Sequence, residues 1–232
     1  MERRIGTTEE SLLAPGRGEL AALWKAAAAL TLPERAHLAL RFRSAPWAKV
    51  LGAFERGGAI VDFGCGPGLL AHLLSRAGFA GTYLGLDPDP RKIDRALRWL
   101  PGTASRRFQI GGVDAAPEGA FSQAALIDVL YLVPPGERAG FVLRAARALS
   151  PGGRFVTLTS GGGPRWKRRL DAAQERIAVG LDVTRGTAVA ACSGQEVADL
   201  FVGAGLLDVG ILDVGRGRLH GFELVTARRP SA

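Results

Sequence analysis

Three alternating glycines and a set of spaced acids are the residues of this chain whose types and positions could do chemistry. The glycines lie in Ala59-Ile60-Val61-Asp62-Phe63-Gly64-Cys65-Gly66-Pro67-Gly68-Leu69-Leu70. That run reads as a short apolar strand, a glycine turn and the start of a helix, which brings backbone N–H groups close to a ligand. Asp62 stands two residues before the first glycine, within reach of whatever the turn holds. A second apolar run, Tyr83-Leu84-Gly85-Leu86-Asp87-Pro88, ends in a carboxylate able to accept hydrogen bonds from both hydroxyls of a ribose. Together the two runs point to a nucleoside-containing cofactor. A helix-start role for Asp87 competes with this, because acids favour that position.

The glycine spacing discriminates between cofactors. Dinucleotide folds use G-x-G-x-x-G/A, whose last small residue lets helix and strand pack closely. Here Gly64, Gly66 and Gly68 make G-x-G-x-G, and Leu69 occupies the place of the third small residue. A clear Tyr-x-x-x-Lys pair is also missing, which disfavours a nicotinamide oxidoreductase. Further along, Ala124-Ala125-Leu126-Ile127-Asp128-Val129-Leu130-Tyr131 runs apolar and then places Asp128 and Tyr131 at its carboxyl end, where open parallel sheets bind ligands. Leu149-Ser150-Pro151-Gly152-Gly153-Arg154 is a sharp turn leading into another strand.

The elements that must position these residues alternate. Helical patterns cover residues 9–30, 33–40 and 47–54. Strands at 60–63, 82–86, 105–110, 124–129 and 154–159 then alternate with helices at 69–77, 91–100 and 136–149. A helix at 194–204 precedes two final strands near 207–213 and 219–227. Such alternation implies a parallel sheet with helices on both faces. The chain divides into a helical extension at 1–56, placed to act as a lid, and a cofactor-binding domain at 57–232. With 232 residues, 47% of them hydrophobic and 22% charged, it is long and apolar enough for a large α/β core. No apolar run is long enough to span a membrane, and the first ten residues lack a secretory core. Cys65 and Cys192 have neither metal-ligand spacing nor a disulfide framework, which suits a reducing cytoplasm and implies no metal.

The strand–glycine–acid runs and the Leu-Ser-Pro-Gly-Gly turn resemble those of class I S-adenosylmethionine-dependent methyltransferases. The resemblance spans residues 60–159 and implies a Rossmann-like, mostly parallel seven-stranded sheet of order 3-2-1-4-5-7-6, its last-added strand antiparallel. It implies S-adenosylmethionine as cofactor, with Gly64, Gly66 and Gly68 under the methionine moiety and Asp62 and Cys65 beside them. Asp87 and Pro88 fall at the ribose, Asp114 and Ala115 at the adenine, and Asp128 at the mouth shared with the substrate. Asp114 also reads as part of an ordinary polar loop. Tyr131 stands where the family often has His. Tyr131 and His220, the latter in the turn before the last strand, are the candidate bases, with structural roles as the alternative. His72 and His37 read as packed or solvated.

The acceptor must be sought outside the matched region. Arg41, Phe42 and Trp47 are placed to form a lid, and Arg165 and Trp166 follow Gly161-Gly162-Gly163-Pro164 over the pocket. This layout is similar to small bacterial methyltransferases of lipid, polyketide or aryl-polyene pathways and implies a small aromatic or acyl acceptor. The formal charge of +8 and the run Arg165-Trp166-Lys167-Arg168-Arg169 would suit an acidic carrier protein, or be simply a solvated basic face. A nucleic-acid methyltransferase fits the charge but lacks the Asn/Asp-Pro-Pro-Tyr/Phe strand end. A non-catalytic cofactor- or partner-binding protein is the remaining alternative.

Overall fold

The computed structural model describes residues 17–160, 190–215 and 221–231. The helical entry consists of α1 (Arg17–Ala26), α2 (Leu32–Ser44) and the short α3 (Trp47–Leu51). The alternating part follows as β1 (Ala59–Phe63), α4 (Leu69–Arg76), β2 (Thr82–Asp87), α5 (Pro90–Trp99), β3 (Arg106–Ile110) and β4 (Phe121–Ile127). It continues through α6 (Arg138–Arg147), β5 (Leu149–Thr159), α7 (Gly194–Gly203), β6 (Leu207–Asp213) and β7 (Glu223–Arg228). These strands form one sheet of order β3-β2-β1-β4-β5-β7-β6. All pairings from β3 to β5 are parallel, and β7 runs antiparallel to both β5 and β6.

Both faces of the central strands β1, β2 and β4 are buried, as near-continuous apolar strands require, while the edge strands β3 and β6 are largely exposed. Ile60, Tyr83, Ala125 and Val156 pack under α1–α5, with Leu38, Phe42, Val50 and Leu70 in the same core. Val61, Leu84, Ala124 and Phe155 face the other way, onto Val142 and Ala145 of α6 and Val197 and Phe201 of α7. The N-terminal helices therefore share a core with the sheet. Several boundaries differ from the sequence expectation, and two of them have a backbone cause. Strand β4 stops at Ile127 because Asp128 adopts a left-handed backbone, φ 59°, which ends the ladder. Strand β5 starts earlier than expected, since Leu149 already pairs with Phe121 across an irregularity, with Gly152 at φ 73° taking up the turn.

Gln123, fully buried in β4, ties the entry to the sheet. Its Nε2 donates to the Gly57 carbonyl at 2.9 Å and its Oε1 accepts from the Glu55 N–H at 2.7 Å. Helix α2 is clamped near its start by Glu34, which caps Thr31 and pairs with Arg95 at 2.8 Å and Arg98 at 2.6 Å, both on α5. The bond from Arg98, opposed by burial and helped by the bonds from Thr31, holds the Glu34 carboxyl well below its usual range, at about 2.

Candidate active site

The glycine turn sits at the carboxyl end of β1, and its three glycines do three different jobs. A side chain at Gly64 would come within 2.6 Å of Val129, so this glycine lets the loop after β4 approach the turn. One at Gly68 would press on Leu100 and Phe108, so that glycine lets α4 settle against α5 and β3. Gly66, at φ 56°, faces open space. It alone leaves room above the turn for a ligand. The turn's N–H groups are not bare, as the sequence pattern suggests. Gly64 and Cys65 donate to the Leu86 carbonyl, Gly68 to the Cys65 carbonyl, and Gly66 to Asp87 Oδ2 at 3.0 Å. The turn thus fastens itself to the end of β2.

Asp87 holds that fastening. Its Oδ1 accepts from the Asp89 N–H at 2.9 Å and its Oδ2 lies 3.7 Å from Lys92 Nζ. It is 2% exposed. A carboxylate offers about four acceptor positions, so these bonds leave capacity for a ligand hydroxyl. Pro88 is exposed beside it, and Asp89 accepts from the Arg91 N–H to start α5.

Asp62 is buried next to the turn and accepts a hydrogen bond from the Tyr83 hydroxyl. Burial raises its carboxyl to about 7; the Tyr83 bond works against that rise and Asp87 adds to it. Burial also pushes the Cys65 thiol up, which keeps it a thiol rather than a nucleophilic thiolate.

The glycine turn and Asp62 border a cavity of about 70 Å³ lined by Asp62, Gly64, Cys65, Gly66 and Pro67 below, with His37, Leu38, Arg41 and Trp47 from α2 and α3 above; Asp87 lies behind the turn and is not in its lining. Trp47 and Arg41 are therefore at the site. Phe42, expected beside them, is 1% exposed in the core beneath α2. His37, read from the sequence as packed or solvated, lines the cavity instead. Its spacing of four from Arg41 puts both on one helix face. Burial, helped by Arg41, Arg95 and Lys92, lowers its imidazole to about 4. His72, its ring tilted against that of Trp99 at 5.0 Å, is likewise held neutral and is a packed core residue.

Asp128 does not line the cavity itself but meets Arg41, which does. Its carboxylate accepts from Arg41 of α2 and from the Ser160 hydroxyl at 3.3 Å. A left-handed non-glycine residue at a strand end is strain stored beside a site. Tyr131 follows, half-buried, in a single 3-10 turn, Leu130–Leu132. Asp114 and Ala115 do not join the cavity. The Asp114 side chain is 75% exposed and pairs with Arg144 of α6 at 3.1 Å, and the Ala115 N–H donates to the Gly112 carbonyl. Arg165, Trp166 and His220 lie outside the described residues.

A family model described as a methyltransferase domain matches residues 35–209. The chain belongs to this methyltransferase family. It is thus placed in the class I S-adenosylmethionine-dependent superfamily, whose sheet order it shows. The methyltransferase is 35% identical over 96 residues to a trans-aconitate 2-methyltransferase of Methylobacterium nodulans, covering 40% of this chain and 35% of that protein. It is 29% identical over 106 residues to a ubiquinone biosynthesis O-methyltransferase of Xanthomonas oryzae, covering 44% and 43%. The chain thus spans less than half the length of these curated relatives. Among solved structures, an S-adenosylmethionine-dependent methyltransferase from Mesorhizobium loti superposes with a TM-score of 0.60 at 22% identity, covering 80% of this chain and 98% of that one. Human N-acetylserotonin methyltransferase, solved with S-adenosylmethionine, gives 0.61 at 18%, covering 84% and 56%. These likenesses are of fold. No helix among the described residues is long and apolar enough to cross a membrane.

Proposed function

We propose that the methyltransferase moves a methyl group from S-adenosylmethionine to an oxygen of a small aromatic or acyl acceptor that arrives as an anion. The observation that carries this reading is the cavity itself: a glycine floor open only at Gly66, roofed by a helix face bearing Arg41 and His37. Two matched relatives, one named for trans-aconitate and one for O-methylation in ubiquinone biosynthesis, support it.

The residues present fit the cofactor. The space over Gly66 suits the methionine part, the buried Asp62 can meet its cationic end, and Asp87 keeps acceptor capacity for ribose hydroxyls. Ligand cavities commonly measure about 300–1,000 Å³, against about 70 Å³ here, so helix α2 must draw back to admit the cofactor. On this reading the N-terminal helices are the cover of the site. The cofactor supplies an electrophilic methyl on a sulfonium. The chain's contribution is alignment, which can lower a barrier by about 7–11 kcal/mol. At about 4, His37 is a weak proton acceptor. Arg41, which lines the cavity and is partly exposed while paired with Asp128, is the cation placed to favour an acceptor already carrying negative charge. Tyr131 borders the acceptor side. A carrier-tethered substrate would instead meet the basic run at 165–169.

The test is incubation with methyl-labelled S-adenosylmethionine and, separately, trans-aconitate, 3,4-dihydroxybenzoate and a metabolite extract that includes nucleic acid. Label in a small anionic product is expected. Label confined to nucleic acid, or cofactor binding with no transfer to any fraction, overturns the reading.

A further inference from the structure

Arg138, the first residue of α6, is among the largest fully buried side chains of the protein, at 1% exposure. Neither the glycine turn nor the cavity touches it. Burying a guanidinium costs several kcal/mol unless its donors are satisfied, and here every nitrogen has a partner. Nε donates to the Leu130 carbonyl at 3.1 Å and the Val133 carbonyl at 3.0 Å. Nη1 donates to the Ala191 carbonyl at 3.3 Å and to Glu196 of α7, and Nη2 donates to the Ala190 carbonyl.

Four of the five acceptors are main-chain carbonyls from two irregular segments. Such segments have no ladder to satisfy their polar groups. One planar fork of fixed donors does so for both at once. The Ala190 N–H donates to the Tyr131 carbonyl at 3.1 Å, joining the same two segments directly. The first segment is the loop after β4, whose Val129 fills the space that Gly64 leaves and whose Asp128 meets Arg41. The second leads into α7, which Ser193 caps and Glu223 anchors through the Gly194 N–H at 2.7 Å.

We propose that Arg138 is a positioning residue for the acceptor side of the site: its guanidinium sets the loop carrying Asp128 and Tyr131 against the segment that enters α7. The proposal rests on the methyltransferase reading for its kinetic consequence but not for its structural one. Arg138→Lys keeps the charge and loses the fork. In this variant, amide hydrogen exchange should speed up in residues 129–133 and 190–192 while the glycine turn and β1–β3 keep wild-type protection. S-adenosylmethionine affinity should stay within about twofold. With whichever of trans-aconitate or 3,4-dihydroxybenzoate the wild type methylates, kcat should fall about 10- to 100-fold, the scale expected when a reacting group is misplaced by about 1 Å. Uniform loss of protection, or a cofactor affinity that falls in step with kcat, would mean a merely structural arginine and overturn the proposal. Unchanged exchange in both segments would also overturn it. The exchange readout needs no acceptor, so it decides even if the wild type turns over neither probe. If Arg138→Lys does not fold, Glu196→Gln replaces it. This variant keeps the carbonyl contacts and weakens one arm of the fork, and faster exchange confined to the same two segments is expected. No change there would count against the proposal.

Discussion

The two sides of the cavity are built by different means. On the cofactor side, Gly66 meets Asp87 and Tyr83 meets Asp62 across 21 residues in each case, and adjacent parallel strands bring them together. On the acceptor side, Arg41 meets Asp128 across 87 residues and Arg138 meets Ala190 across 52. The cofactor side is one strand–turn–helix–strand unit whose geometry follows from local backbone rules. The acceptor side is a junction of a helix roof, a loop and a distant segment, held by arginines. One half can be kept constant while the other is varied, and on the proposed reading that would separate donor binding from acceptor choice.

The largest effect should come from Gly66→Val. A branched side chain at a left-handed position facing the cavity should abolish S-adenosylmethionine binding in calorimetry. The acceptor side should keep its exchange protection. Gly64→Ala offers a sharper version, because its new methyl would strike Val129 and disturb both sides at once.

Asp62→Asn comes next and is read as stability against pH. The folded-state carboxyl is raised from 3.8 to about 7, so the fold prefers the protonated form. That contribution is complete below about pH 4 and is lost as pH rises through about 7. Between those limits the wild type should lose a few kcal/mol relative to Asp62→Asn, since each tenfold difference in proton affinity between the folded and unfolded chain is worth about 1.4 kcal/mol. Chemical denaturation at pH 4 and pH 8 checks this, and parallel curves for the two proteins would remove Asp62 from that role.

Asp87→Ala should weaken cofactor binding by about 1.5–3 kcal/mol, the worth of hydrogen bonds to a charged group. It also leaves the Gly66 and Asp89 N–H groups without their acceptor. Calorimetry on the folded variant reads the loss, and wild-type affinity would exclude Asp87 from ribose binding. The smallest effect is expected from Arg41→Gln. Its pair with Asp128 is partly exposed and worth about 1 kcal/mol or less. Cofactor release, followed by stopped-flow tryptophan fluorescence, should quicken a few-fold while equilibrium affinity barely moves. A variant that releases cofactor no faster would mean that α2 is not held closed there.

Much of the geometry around the glycine turn was legible in the residues because its signals are local. Glycines at 64, 66 and 68 mark a turn, apolar runs mark strands, and an acid at a strand end marks a ligand edge. What the pattern could not reveal was the division of labour among those glycines. Their neighbours Val129, Leu100 and Phe108 arrive from other elements, and the turn's N–H groups are taken up by Leu86 and Asp87 once β1 and β2 pair. The acceptor side was hardly legible. Phe42, expected in a lid, and His37, read as packed or solvated, lie on one helix, yet the first became core and the second cavity lining when α2 settled on the sheet.

The sequence by itself determined the alternation of strands and helices, the glycine turn and the acid that closes it, because backbone preference and hydrophobic period depend on near neighbours. The tertiary structure alone decided that Arg138 goes inside, that Asp114 turns out to Arg144, and that Arg41 reaches Asp128. Each of these depends on which carbonyls and charges remain without partners after the helices and sheet have packed. Those groups lie tens of residues away, and no local pattern announces them.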